Sequence, residues 1–239
     1  MKNESEVPPI VSVFFNEKYR SEYNENYKSL ILDIQSDKFY LNIEDYVKVY
    51  HNVLDIETCK KLSLLLETYP NKMRFCNNLT NLIRSGEFLD LSQNEKFNLY
   101  IRKIIDKVLN IVIKKYTKEV KSFYYSYGDS INHYHYQVLK YTKDDHFKIH
   151  HDHYAENTNY SRLLTVCIYL NEYYEGGELE FPSIKKTFKF KTGDVIIFPS
   201  NWMFYHGVTP ITSGNRYSIT VWTGIDINSI SNKEITYEY

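Results

Sequence analysis

Alanine is almost absent from this chain: in 239 residues there is only Ala155. Lys, Asn, Ile, Tyr and Phe are abundant instead, the bias an AT-rich coding sequence produces whatever the fold, so most of the 24 tyrosines need no functional explanation. Cysteine is scarce too. Cys59, Cys76 and Cys167 are widely spaced, odd in number and without a C-x-x-C pair, which argues against a disulfide framework or a cysteine zinc site and fits a reducing compartment. Neither sign of charge is in excess, since 29 Lys+Arg stand against 30 Asp+Glu for a net charge of −1. Coating a polyanion takes surplus cations, so no nucleic-acid partner is expected. Long apolar runs are missing as well: nothing approaches the ~20 residues of a bilayer span, and MKNESEVPPIVSVFF has no uninterrupted apolar core of a signal peptide. The expected setting is cytoplasmic, with no membrane partner. What is present, 43% hydrophobic and 25% charged residues, is the composition of an ordinary folded protein.

Glycine is unevenly placed. Of eight, only Gly86 precedes residue 128, and six fall between Gly176 and Gly224, which points to turn-dense, strand-rich structure in the second half. Residues 1–45 read as a polar arm of unknown role. VKVYHNVL from Val47 is strand-like, and Asp55 is placed to cap a helix through Ile56, Leu62, Leu65 and Leu66. Ser92-x-x-Glu95 has capping-box spacing, and Phe97, Tyr100, Ile101, Ile104, Ile105, Val108 and Val112 follow with a helical period that predicts one core-facing side. After Tyr125 the period becomes two: 133–141, 162–170, 177–181, 187–190, 194–198 and 216–222 read as strands. Helices first and strands after predict an α+β domain over 46–239, with helical support at 46–122 and a sheet core at about 123–226.

Six of the eight histidines lie between His133 and His153, and the densest stretch is His150-His151-Asp152-His153. Alternation on an extended strand puts His150 with Asp152 on one side and His151 with His153 on the other, and only one pair can face an interior. The first pair, joined by a distant histidine, makes a two-His, one-carboxylate set suited to Fe(II) with open positions. His206 is the only histidine after His153. Ten residues on, Arg216 shares a strand face with Ser218, Thr220 and Trp222, and a guanidinium turned inward is costly unless an anion meets it. A dicarboxylate provides that anion through a bidentate pair. Thr165, Cys167 and Tyr169 form a second polar face of the same kind. Trp222 either closes such a pocket or simply packs.

From about Tyr134 to Trp222 the chain resembles the catalytic domain of Fe(II)- and 2-oxoglutarate-dependent dioxygenases, and among them the prolyl 4-hydroxylase-like group. QVLKYTKDDHFKIHHD, RLLTVCIYLNEYYEGGELEFP, FKFKTGDVIIFPSNWMFYHGV and GNRYSITVW carry the resemblance, in family order. It implies a double-stranded β-helix, a jelly-roll, cupin-like barrel buttressed by N-terminal helices. It also implies that His150, Asp152 and His206 bind iron and form the catalytic centre, and that Arg216 holds the distal carboxylate of 2-oxoglutarate. Tyr141, Tyr169, Thr165 and Thr220 complete the cosubstrate pocket on the same basis. The implied cofactors are Fe(II), with 2-oxoglutarate and O2 as cosubstrates and ascorbate as an accessory. Segments near 142–149 and 153–161 would close over substrate.

The implied reaction is hydroxylation of an unactivated C–H, of a prolyl residue in a peptide or protein, with release of succinate and CO2. Two departures stand out: many collagen-type relatives carry lysine where this chain has Arg216, and a family glycine is Asp144 here. Three other readings stay open. They are a hydroxylase of free amino acids or other small molecules, a cupin-like metal enzyme using His151, His153 and His206, and a non-catalytic binding module on the same fold.

Overall fold

The protein is described by a computed structural model covering residues 41–69, 73–75, 83–91, 96–127, 131–153 and 160–226. Most of the N-terminal arm, Cys76, the Ser92–Glu95 capping box and most of the segment 153–161 lie outside the described residues. The compact unit Asn42–Tyr239 contains every element named below.

Helix α1 (Ile56–Thr68) starts where expected, because the Asp55 carboxylate accepts from the Thr58 N–H at 2.8 Å and satisfies one of the free amides of the first turn. It buries Cys59, Leu62 and Leu66. Helix α2 (Lys96–Glu119) buries Ile101, Ile105, Val108, Leu109, Val112 and Tyr116 along one stripe. Tyr100, expected on that stripe, is 67% exposed, since the face turns away from it within the first turns. A short α3 (Lys121–Tyr127), invisible in the sequence pattern, follows directly.

Thirteen strands are present among the described residues. Seven form the major sheet: β1 (Lys48–Tyr50), β2 (Met73–Arg74), β3 (Glu87–Asp90), β4 (Asn132–Tyr141), β6 (Tyr160–Tyr169), β10 (Val195–Pro199) and β13 (Arg216–Asp226), in the order β1-β10-β6-β13-β4-β3-β2. Four form the minor sheet: β5 (Phe147–His150), β8 (Leu179–Phe181), β9 (Lys186–Phe188) and β11 (His206–Val208), in the order β5-β11-β8-β9. A two-stranded ribbon pairs β7 (Tyr174–Gly176) with β12 (Ile211–Gly214). The strand expected at 177–181 is shorter, beginning at Leu179, because Gly176 and Gly177 both take positive φ, 72° and 67°, and turn the chain between β7 and β8.

One face of the major sheet meets the helices. The Tyr136 hydroxyl donates to Asp106 of α2 at 2.5 Å, and the Cys59 thiol of α1 lies 4.0 Å from the Tyr169 carbonyl. The other face packs on the minor sheet through a cluster that includes Tyr169, Phe181, Phe190, Phe198 and Phe204. This is the jelly-roll arrangement, although the ladders do not close into a continuous barrel among the described residues. On one side the gap is spanned by the chain leading into β3: Lys148 N–H donates to the Ile83 carbonyl at 2.7 Å and Ser85 N–H to the His146 carbonyl at 3.0 Å. That junction stands beside His150, the histidine that ends β5.

Residues 142–149 begin with a bonded turn. Thr142 donates to the Asp145 carboxylate through both its amide and its hydroxyl, each at 2.8 Å, and the chain then enters β5. Asp144 sits in this turn at φ 70°, a left-handed conformation that glycine adopts freely and Asp tolerates better than most residues. That conformation gives a physical reason for the family's glycine at this place.

Candidate metal centre and its cavity

His150 ends β5 and His206 begins β11, and the two are directly paired across the antiparallel ladder. Asp152 lies just beyond β5 rather than on it. Ser200, following β10, anchors it there: the Ser200 carbonyl accepts from Asp152 N–H at 3.1 Å and from His153 N–H at 2.7 Å. His150 Nε2 is then 3.3 Å from Asp152 Oδ1, and His206 Nε2 is 3.5 Å from Asp152 Oδ2. One ligand atom from each of the three residues lies within 4.8 Å of the others.

The outer nitrogens are both held by backbone carbonyls. His150 Nδ1 is 2.8 Å from the Lys148 carbonyl, and His206 Nδ1 is 3.0 Å from the Phe204 carbonyl. A carbonyl only accepts, so each Nδ1 carries a hydrogen and each Nε2 is the nitrogen turned to the centre. Burial pushes His206 down to about 4, which keeps it neutral. Burial alone would raise the Asp152 carboxyl, but His206, His150 and the Thr165 hydroxyl outweigh it and hold the group well below the usual carboxylate range. Two imidazole nitrogens and a carboxylate thus converge on one point, a donor set that a divalent cation can join. Two nitrogens and one hard oxygen suit Fe(II), and the donors fit that metal.

A cavity opens from this centre toward Arg216. Arg216 begins β13, directly opposite Tyr141 of β4, and is 2% exposed. Its Nη2 donates to the Tyr169 hydroxyl at 3.1 Å, whereas Nε and Nη1 have no hydrogen-bond partner. Among the described residues no carboxylate pairs with it. Tyr141, Thr165, Thr220 and Trp222 line the same cavity, so every cosubstrate residue expected from sequence is at or beside it. Thr165 is bonded to Asp152 and Ser200, and the Thr220 hydroxyl is 3.5 Å from the Cys167 sulfur. Trp222 lines the cavity and packs under Arg162, whose guanidinium carbon is 4.0 Å from the ring centre.

The alternative histidine set is not assembled. His151 packs edge-on to Tyr205, His153 is exposed with Nδ1 3.2 Å from the Arg162 carbonyl, and neither joins the cluster around His206. Sequence reasoning also passed over Arg84 and Ser200. Arg84 lines the cavity, its guanidinium 3.6 Å from the Phe75 ring centre and 4.3 Å from that of Phe147. No pattern marks it, because it reaches the cavity only through the bridge between its loop and β5.

Residues 136–224 match the profile of the 2OG-Fe(II) oxygenase superfamily, and they contain the whole His–Asp–His cluster and Arg216. This segment is a 2OG-Fe(II) oxygenase domain of the prolyl 4-hydroxylase-like kind. A protein of Acanthamoeba polyphaga mimivirus, provisionally named a prolyl 4-hydroxylase, is 31% identical over 103 residues, 36% of this chain and 43% of the viral one. Prolyl 4-hydroxylase 3 of Arabidopsis thaliana, also provisionally named, is 24% identical over 212 residues, 76% of this chain and 70% of the plant protein. The alignment therefore spans less than half of the viral relative. In fold, the oxygenase domain and its helices are similar to a prolyl hydroxylase from Trichoplax adhaerens solved with a hypoxia inducible factor oxygen degradation domain peptide fragment. The TM-score is 0.60 at 17% identity, covering 92% of this chain and 98% of that one. The cofactors of such an oxygenase are Fe(II) and 2-oxoglutarate, which accords with the donor set and with a buried cation beside it.

Proposed function

We propose that this chain hydroxylates a prolyl residue of a peptide or protein, consuming 2-oxoglutarate and O2 and releasing succinate and CO2. The observation that carries the reading is the pairing, in one cavity, of the His150–Asp152–His206 donor set with an unpaired guanidinium on Arg216. When bound, Fe(II) would supply the activation of O2, the oxidant, with 2-oxoglutarate as the reductant, for attack on an unactivated C–H. His150, Asp152 and His206 would hold that metal through Nε2, the carboxylate and Nε2. Arg216 takes the distal carboxylate of 2-oxoglutarate with guanidinium N–H groups that no side chain of the described residues occupies. Tyr169 steadies the guanidinium from the side, and Tyr141 forms the neighbouring wall. The aromatic and aliphatic lining excludes water and so protects the reactive site while orienting the substrate.

A peptide target is supported by the named activity of the viral and plant relatives and by the peptide bound to the Trichoplax adhaerens protein. The test is twofold. Anaerobic addition of Fe(II) and 2-oxoglutarate should give a visible metal-to-ligand charge-transfer band. Admission of O2 with a panel of proline-containing peptides and free amino acids should then yield succinate and a product one oxygen atom heavier. Absence of both the band and succinate refutes the oxygenase reading; a heavier free amino acid with every peptide unchanged refutes the peptidyl-proline one.

A further inference from the structure

We infer that Thr165 and Ser200 form a hydroxyl relay that orients the Asp152 carboxylate for metal, so that Thr165 is a positioning residue rather than a cosubstrate contact. The proposal rests on the Fe(II) reading above. Thr165 Oγ1 lies 2.7 Å from Asp152 Oδ2, and it is also 2.9 Å from Ser200 Oγ. A threonine hydroxyl has one proton. An ionised carboxylate accepts only, so that proton goes to Asp152 and the Ser200 hydroxyl must donate to Thr165. The relay runs one way, from Ser200 through Thr165 to Asp152.

All three side chains are withdrawn from water: Thr165 and Ser200 are each 1% exposed and Asp152 is 7%. In such surroundings the bonds are stronger than in solvent and no water replaces one that is lost. The placement follows from the ladder. Phe198 pairs with Thr165 and Pro199 with Leu164, and Ser200 continues the run by donating its N–H to the Leu163 carbonyl at 2.9 Å. Ser200 therefore fixes Asp152 twice, holding its backbone through the carbonyl and its carboxylate through Thr165. Asp152 has no regular strand to hold it, since β5 ends at His150. With Oδ2 bonded to Thr165, the carboxylate cannot rotate freely, and Oδ1 stays beside His150 Nε2. A residue that orients a metal ligand in this way typically contributes ~10- to 100-fold in metal affinity.

The experiment titrates Mn(II), followed by electron paramagnetic resonance, and Fe(II) under anaerobic conditions into the full chain and its variants. Thr165→Val keeps the shape and removes the hydroxyl; it should weaken metal binding ~10- to 100-fold while leaving the KM for 2-oxoglutarate at saturating metal within about twofold. Thr165→Ser should restore metal affinity, and Ser200→Ala should weaken it by a smaller factor. Unchanged metal affinity in Thr165→Val, with a raised KM for 2-oxoglutarate, overturns the proposal in favour of a direct cosubstrate contact. If Thr165→Val does not fold, Ser200→Ala decides, and wild-type metal affinity there overturns the relay. Failure of the wild-type chain to bind either metal defeats the Fe(II) reading itself, a distinct outcome from wild-type binding that is insensitive to these variants.

Discussion

Arg216 donates from Nη2 to the hydroxyl of Tyr169 at 3.1 Å, and among the described residues that is the single hydrogen bond of a guanidinium that is 2% exposed. Both residues belong to central strands of the major sheet, where Ser218 of β13 pairs with Tyr169 of β6. Buried donors are almost always satisfied. Two free donors on a permanently charged group, in a cavity shared with three metal-type ligands, define where an anion belongs.

Arg216→Ala should therefore act on the cosubstrate and not on the metal. Loss of two charge-assisted bonds, at ~1.5–3 kcal/mol each, raises the KM for 2-oxoglutarate by about 100-fold or more, with Mn(II) affinity unchanged. Steady-state kinetics beside a metal titration make the check, and equal loss of both would remove the role given to Arg216.

The two histidines adjacent in sequence should behave oppositely. His150→Ala removes one of three converging ligands and should abolish tight Fe(II) binding and succinate formation. His151→Ala removes a ring that packs on Tyr205 outside the cluster and should retain metal binding within a few-fold. A reversed result in anaerobic metal titrations would restore the His151, His153, His206 alternative.

Acid should destabilise the metal-free protein over a defined window. Burial lowers His206 to about 4 against an ordinary value near 6.5, and burial lowers His133 and His135 as well. Between the folded and unfolded values the unfolded chain binds protons that the folded chain does not. Stability is thus complete above about pH 6.5 and is lost as the pH falls toward about 4, by on the order of 3 kcal/mol from His206. Thermal melts in chelator should show Tm falling across that interval, and His206→Gln should flatten the curve. A wild-type Tm independent of pH there would contradict the assignment.

Gly193→Ala tests how the first helix is fastened to the sheet. Gly193 has φ 85°, and a Cβ there would stand 2.1 Å from the Leu54 carbonyl oxygen. Its own carbonyl accepts from Val53 N–H at 2.9 Å, just ahead of the Asp55 cap of α1. Strain and displacement together should cost about 3 kcal/mol or more, measurable as a lowered midpoint in urea. The corresponding change at exposed Ser183 should leave the midpoint unmoved.

The sequence by itself determined the strand-rich second half, the Asp55-capped helix and the residues of the metal cluster, because periodicity, capping and the His-x-Asp spacing are local properties. Gly176 and Gly177 marked a turn, yet whether Gly177 belonged to the strand or to the turn depended on which strands β7 and β8 would pair with. Even the parity argument for His150 and Asp152 held only in outcome, since Asp152 is placed by Ser200 and not by a continuing strand. Tertiary structure alone decided that Thr165 bonds Asp152, that Ser200 stands behind it, and that Arg84 reaches the cavity. These contacts join residues 13, 35 and 57 positions apart. Register between paired strands brings such residues together, and register is set by the packing of whole sheets, which no short pattern in the chain encodes.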